Sequence, residues 1–169
     1  MTLRPATAED FRFIRSVTQR PDYAPFITDE DEAGLAVYLA DPTESLLIWE
    51  PGGRATGFAI FCGIGQPSGA VELRRIALDQ PGGGQGGIFF DALLDHAFGA
   101  LGAKRLWLDA SGKNPRAMKV YERAGCLREG IQRAHWWRPA LSRAVDLHLF
   151  GMLREEWQAR RAECPGRDA

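Results

Sequence analysis

One stretch narrows the fold of this chain more than any other. A strand-like run, Val71 to Leu78, leads through Pro81-Gly82-Gly83-Gly84-Gln85-Gly86-Gly87 into a segment whose Phe90, Leu93, Leu94, Ala97, Phe98 and Leu101 share one helical face. Strand, glycine turn and helix in that order gather several backbone N–H groups and the positive end of a helix at one point, which holds phosphate without side-chain charge. Glycine suits the turn because it takes positive φ and lets a ligand approach the backbone closely. Gly82, Gly84 and Gly87 also satisfy the GxGxxG pattern of dinucleotide-binding folds, with Asp109 imitating their ribose carboxylate. A doubly wound sheet needs further alternating strands and helices, and the 60 residues after Asp109 offer one short helix and a hairpin. That topology does not fit.

The rest of the chain reads as hairpins around one crossover. Leu3 to Ala6 is a short strand, and Thr7 with Asp10 caps a helix carrying Phe11, Ile14 and Val17. Asp29-Glu30-Asp31-Glu32 begins a second helix through Leu35, Tyr38 and Leu39 that stops at Asp41-Pro42. Strands at Ser45 to Glu50 and Ala55 to Cys62 flank a Pro51-Gly52-Gly53 turn. After the glycine window come a strand at Arg105 to Asp109, a helix at Asn114 to Ala124 closed by Gly125, and strands at Leu127 to His135 and Ala144 to Met152. The expected class is α+β, or mixed α/β, with a mostly antiparallel sheet of about seven strands and one parallel pair.

A chain of 169 residues suits a single domain, drawn here as 1–157 with a charged, fraying tail at 158–169. Its 21 Lys plus Arg balance 22 Asp plus Glu, so no global field draws it to nucleic acid or anionic lipid. Cys62, Cys126 and Cys164 are widely spaced, which supports neither a disulfide framework nor a metal site and makes a cytoplasmic setting the default. No run is long and apolar enough to span a membrane.

Two blocks carry a family resemblance: VELRRIALDQPGGGQGGIFFDALLDHAF, Val71 to Phe98, and LWLDASGKNPRAMKVYERAGCLREG, Leu106 to Gly130. Gly84 and Gly86 match the second half of a Gln/Arg-x-x-Gly-x-Gly/Ala signature, and Asn114, Ala117, Tyr121 and Gly125 match Asn-x-x-Ala-x-x-x-Tyr-x-x-x-Gly. The chain from Leu3 to Trp157 thereby resembles the GNAT superfamily of acetyl-CoA-dependent N-acetyltransferases. Its ending, LHLFGMLREEW, is similar to the branch that includes ribosomal-protein N-terminal acetyltransferases.

The resemblance implies a GNAT fold with a splayed central parallel pair, and acetyl-CoA as co-substrate with no metal. It implies that Ile76, Ala77 and Leu78 pair with the pantetheine arm, with a strand amide there holding the oxyanion. The amides of Gly83, Gly84, Gln85, Gly86 and Gly87 would take the pyrophosphate. Asn114 would bind the cofactor arm, and Arg116, Lys113 or Lys119 the 3′-phosphate. Tyr121 matches the general acid beside the CoA sulfur; as residues alone, it also reads as a core tyrosine. Glu72 matches a common base, needed because an ammonium of pKa near 10.4 cannot attack a thioester. It reads equally as a surface carboxylate paired with Arg74 or Arg105.

The signature's leading basic position falls on Pro81 and a frequent following one on Gly87, and no Lys or Arg lies between Arg75 and Lys104. Weak cofactor binding and ordering of the loop on binding are therefore expected. The acceptor, a small-molecule or peptide amine, would meet Tyr23, Phe26 and Trp136, with the acidic run at 29–32 as an attracting rim or simply a capped helix start. The Trp136-Trp137 pair reads as cleft lining, packing or a homodimer contact. Against the enzyme stands a rival on the same fold: a non-catalytic CoA-binding or protein-interaction module.

Overall fold

In the computed structural model, which describes residues 2–163, the strand-like runs become β1 (Thr2–Pro5), β2 (Glu44–Glu50), β3 (Gly57–Cys62), β4 (Ala70–Leu78), β5 (Arg105–Ser111), β6 (Leu127–Arg138) and β7 (Arg143–Leu153). They form one sheet in the order β1-β2-β3-β4-β5-β7-β6, antiparallel except for the β4–β5 pair. The helices are α1 (Phe11–Thr18), α2 (Glu32–Ala40), α3 (Gln85–Asp95), α4 (Pro115–Arg123) and α5 (Arg154–Glu163). The expected mixed class, strand number and single parallel pair are those of the molecule.

Alternation along the central strands assigns each face. Val71 and Leu73 of β4 and Leu106, Leu108 and Ala110 of β5 enter a core with α3 and α4, built around Phe89, Phe90, Leu93, Phe98 and Phe150. The intervening residues, Glu72 on β4 and Trp107 and Asp109 on β5, therefore face the opposite side. On that side, under α1 and α2, a second core gathers Ile14, Val17, Leu35, Ile48, Phe58 and Ile60.

β4 and β5 pair at Ala70–Arg105, Val71–Leu106 and Glu72–Trp107, and then part. On its other edge β4 stays paired with β3, but Ile60 faces Arg75 and Phe61 faces Leu73, which leaves Arg74 as an extra residue. A bulge of this kind bends its strand, and it sits next to the point of parting. Gly57 permits the close β3–β4 approach beyond it: a Cβ there would lie 2.8 Å from the Ala77 carbonyl oxygen.

Three boundaries differ from the sequence reading. α5 continues through Gln158 to Glu163, tied to α3 by Arg160–Asp91 at 2.7 Å and Arg161–Asp95 at 2.6 Å, so the charged tail begins later than composition suggested. Residues 164–169, including Cys164, lie outside the described residues. After α3 the chain widens into a π turn, with Leu101 N donating to His96 O at 2.9 Å. Finally, β6 runs on to Arg138 through a break in register between Gln132 and Trp136, where Ala134 takes φ 48° and its amide donates to Asp146 Oδ1 at 2.8 Å.

Candidate active site

Where β4 and β5 part, a cleft of about 710 Å³ opens through the sheet. Its walls include Glu72, Ile76, Ala77, Leu78, Asn114, Arg116, Tyr121, Tyr23, Phe26 and Trp136, so residues from four separate segments meet there. Gly86 lines it too, and with Leu78, Pro81, Arg116 and Val120 it also lines a second hollow around Gly82, Gly83, Gly84 and Gly87. Cleft and cradle are continuous. Gln85 lines neither.

The glycine turn is built on left-handed glycines. Gly83 and Gly84 have φ of 55° and 80°, in the left-handed region that glycine adopts without strain, and Gly84 is the N-cap of α3. The Gln85 amide donates to Gly82 O at 3.0 Å and the Gly87 amide to Gly84 O at 3.1 Å. Those two amides are spent inside the loop, which narrows the expected set: Gly83, Gly84 and Gly86 present the N–H groups left for an anion, together with the helix dipole.

The missing charge is supplied from elsewhere in the fold. Arg116 and Arg123 of α4 and Arg160 and Arg161 of α5 line the cradle. Arg160 and Arg161 also hold Asp91 and Asp95, whereas Arg116 and Arg123 carry no ion pair among the described residues. Arg116 is among the residues the resemblance put at the 3′-phosphate, whereas Arg123, Arg160 and Arg161 were not anticipated. Helix packing, 30 or more residues downstream in sequence, does what the local signature positions do not.

Asn114 is the N-cap of α4, its Oδ1 accepting from the Ala117 amide at 3.1 Å. That contact fixes the amide plane and leaves the NH2 as the half that can meet a ligand. α4 in turn carries Tyr121, 5% exposed, its ring tilted against Phe90 at 4.9 Å and edge-on to Phe150 at 5.5 Å. Its hydroxyl makes no hydrogen bond among the described residues and lies at the cleft wall. Burial, with the Asp109 carboxylate adding, pushes the phenol well above its ordinary value, so it stays protonated at neutral pH.

On the opposite side of the sheet, Glu72 accepts from Arg74 at 3.0 Å, one of the two pairings its residue type allowed. Arg105 instead holds Glu129. Leu78, expected to be open to a cofactor arm, has its carbonyl engaged by the Tyr23 hydroxyl. The Arg20 guanidinium caps the next carbonyl, that of Asp79. The loop after α1 is thereby clamped to the end of β4.

The acidic run is structural. Asp29 accepts from Thr18 Oγ1 at 2.6 Å, Glu30 pairs with Arg75, and Asp31 caps α2 through the Gly34 amide at 2.8 Å. None of them lines the cleft. Trp136 does, while Trp137 is 61% exposed.

Two residues that carry weight here were not singled out for it by the sequence. Asp109 stands in the cleft wall beside Glu72, where a dinucleotide reading had given it a different role. Arg138, buried to 5% exposure, donates to Ile27 O at 2.7 Å and Thr28 Oγ1 at 2.9 Å, and binds the Ala24 carbonyl.

A cradle of open amides at a helix N-terminus thus joins a cleft between splayed parallel strands. The acetyltransferase (GNAT) family model covers residues 9–126. The chain belongs to that family. The family's reaction is acetyl-CoA-dependent N-acetyl transfer.

Among solved structures, spermidine N-acetyltransferase from Vibrio cholerae in complex with CoA and spermine shares the fold at TM-score 0.82 and 20% identity, covering 93% of this chain and 97% of that one. A dodecameric form of spermidine N-acetyltransferase from Vibrio cholerae in an intermediate state gives 0.78 at 20% identity, with 94% and 96% covered. The ending LHLFGMLREEW forms β7 and the start of α5, elements within a fold shared with these proteins, and the ribosomal-protein branch finds no support in the comparisons. Among the described residues, no three His, Cys, Asp or Glu side chains are arranged to hold a metal ion, and no helix is long and apolar enough to cross a membrane.

Proposed function

We propose that this GNAT enzyme acetylates the primary amine of a small cationic molecule by direct attack on the thioester of acetyl-CoA. The observation that carries the reading is the splay itself. One gap between β4 and β5 joins the glycine cradle and Tyr121 on one side to Glu72, Asp109, Tyr23, Phe26 and Trp136 on the other. A thioester threaded from the cradle meets an acceptor arriving from the opposite face.

Gly83, Gly84 and Gly86 bind the pyrophosphate, with Arg116 and Arg123 supplying charge. Ile76 and Ala77 offer backbone to the arm, and Asn114 its NH2. Tyr121 hydrogen-bonds the sulfur as C–S breaks. A buried phenol is a weaker acid than the departing thiol of pKa near 8.5, so the hydroxyl works by passing on the proton that the nitrogen loses. Glu72, the expected base, faces the acceptor side.

The acceptor class rests on the carboxylates of the far wall: Asp22 pairs with Arg20, Arg74 with Glu72 and Arg75 with Glu30, which leaves Asp109 as the carboxylate an ammonium can meet. The Vibrio cholerae protein bound to spermine is a relative in fold with an acceptor of that chemistry. The rival of a non-catalytic module drew on Pro81 and the missing basic residues, and Arg116 and Arg123 bring charge to the cradle by another route.

A thiol-release assay with acetyl-CoA against polyamines, amino acids, aminoglycosides and N-terminal peptides tests the reading. Turnover is expected with small cationic amines. CoA binding without turnover on any of them would reject it.

A further inference from the structure

Two carboxylates face the acceptor side of the gap, and they differ in what already holds them. Glu72 has an oxygen occupied by the Arg74 guanidinium at 3.0 Å. Asp109 has neither a hydrogen-bond nor an ion-pair partner among the described residues. It lies just past the last β4–β5 pairing, Glu72 with Trp107, where the strands have separated and its surface opens into the cleft.

We propose that Asp109, and not Glu72, takes the proton from the acceptor's ammonium, and that the nitrogen reacts while lying between Asp109 and Tyr121. The proposal rests on the acetyl-transfer reading above and assigns the proton within it.

The surroundings favour this division of labour. Asp109 is faced by Glu72 and Arg75 from β4, His135 from β6 and Tyr121 from α4. Asp109 is exposed along β5 and open to the solvent of the cleft, yet crowding by the cleft wall and the Glu72 charge push its carboxyl above the ordinary aspartate value, while His135 and Arg75 pull it back. A base must hold a proton at the moment of transfer, and a carboxylate without a cationic partner beside a second anion holds it better than an isolated one. An incoming ammonium supplies the cation that Asp109 lacks, so acceptor binding and proton transfer use the same vacancy in the charge balance.

His135 owes its place to the break in β6. Ala134 sits at φ 48° with its amide bonded to Asp146, a strained arrangement that shifts the register just before Trp136.

The step balances. Asp109 takes one proton from the ammonium, and the freed lone pair forms the C–N bond. The C–S bond then breaks, the second nitrogen proton reaches sulfur by way of the Tyr121 hydroxyl, and Asp109 later gives its proton to water. One proton is released per acetyl group transferred.

Asp109→Asn and Glu72→Gln, each assayed from acid to alkaline pH with acetyl-CoA and spermidine, test the assignment. Asp109→Asn should lower kcat/KM by about 100-fold or more near neutral pH and remove the acidic limb of the profile. Glu72→Gln should lower it by about tenfold or less and move that limb to lower pH, because the anion that raised Asp109 is gone. CoA binding by calorimetry should stay at the wild-type value in both. An intact acidic limb in Asp109→Asn, or the larger loss in Glu72→Gln, would overturn the assignment. Carboxyl NMR of the CoA-bound enzyme reads the same point without turnover. Asp109 should titrate above the ordinary aspartate range and fall in Glu72→Gln; a value at or below that range would overturn the proposal. A wild type that acetylates nothing sinks the acetyl-transfer reading instead, and is told apart because the NMR titration does not depend on it.

Discussion

The Arg138 guanidinium lies 4.0 Å from the centroid of the Trp136 ring, and the same side chain donates to Ile27 O and Thr28 Oγ1 more than 100 residues away in sequence. One buried fork therefore sets both the aromatic wall of the acceptor cleft and the loop that carries Phe26. Arg138→Met keeps the stem and leaves the Ala24 and Ile27 carbonyls unpaired, which should destabilise the fold by about 2 kcal/mol or more. The kinetic signature should be a raised KM for the amine with the KM for acetyl-CoA little changed. Steady-state kinetics with each substrate varied in turn checks it, and equal effects on both would count against a local role.

Arg116 and Arg123 line the glycine cradle without ion-pair partners among the described residues. Arg116→Ala and Arg123→Ala should each weaken CoA binding by about three- to tenfold, the scale of a partly exposed charge-assisted contact. The loss should shrink as salt is raised, because such charges are screened over about 10 Å at moderate ionic strength. Calorimetry at two salt concentrations measures both; affinity unmoved in either variant would leave the pyrophosphate to the amides alone.

These two sites mark the limit of what sequence could tell. The strand, glycine turn and helix announced the cradle because that information is local, and the spacing of Asn114, Tyr121 and Gly125 announced α4 for the same reason. Arg123 and Arg160 reach the cradle only because α4 and α5 pack beside α3, which no local pattern encodes. Arg138 is one of many arginines until β6 runs past His135 and turns it beneath the loop at 24–28. Asp109 was visible at a strand end, yet its relation to Glu72 depends on parallel register, which alternation within one strand cannot give. The acidic run at 29–32 could be read as a rim or as a capped helix start, and its partners Thr18 and Arg75, which decide for the structural role, lie outside the run in sequence.

Gly57 stands where β3 passes closest to the cleft strand. A Cβ there would meet Ala77 O at 2.8 Å and Leu78 Cδ2 at 2.9 Å, and backbone oxygen cannot step aside as a side chain can. Gly57→Ala should destabilise the protein by about 1–3 kcal/mol and lower the urea midpoint. Because Ala77 and Leu78 line the cleft, CoA affinity should fall with it. A midpoint equal to the wild type would show that β4 shifts freely at this position.

Asp10 supplies a pH dependence of known sign. Arg4 donates to both of its carboxylate oxygens at 2.7 Å and the Thr7 amide adds a third bond, holding the carboxyl below its ordinary value of 3.8. A value lower in the folded than in the unfolded chain stabilises the fold fully above the unfolded value, and that contribution is lost as the pH falls through the folded one. Asp10→Asn should therefore be less stable than wild type at neutral pH, with the two stability curves converging below about pH 4. Urea unfolding across that range tests it, and parallel curves would remove Asp10 as the source.

The most direct test of the account is a crystal structure of the enzyme with CoA and spermidine bound together. The pyrophosphate is expected on the amides of Gly83, Gly84 and Gly86, and the thiol beside the Tyr121 hydroxyl. A primary amine should reach that thiol from the Glu72 and Asp109 side of the sheet. An amine bound on the α3–α4 face, or CoA seated away from the glycine turn, would contradict it.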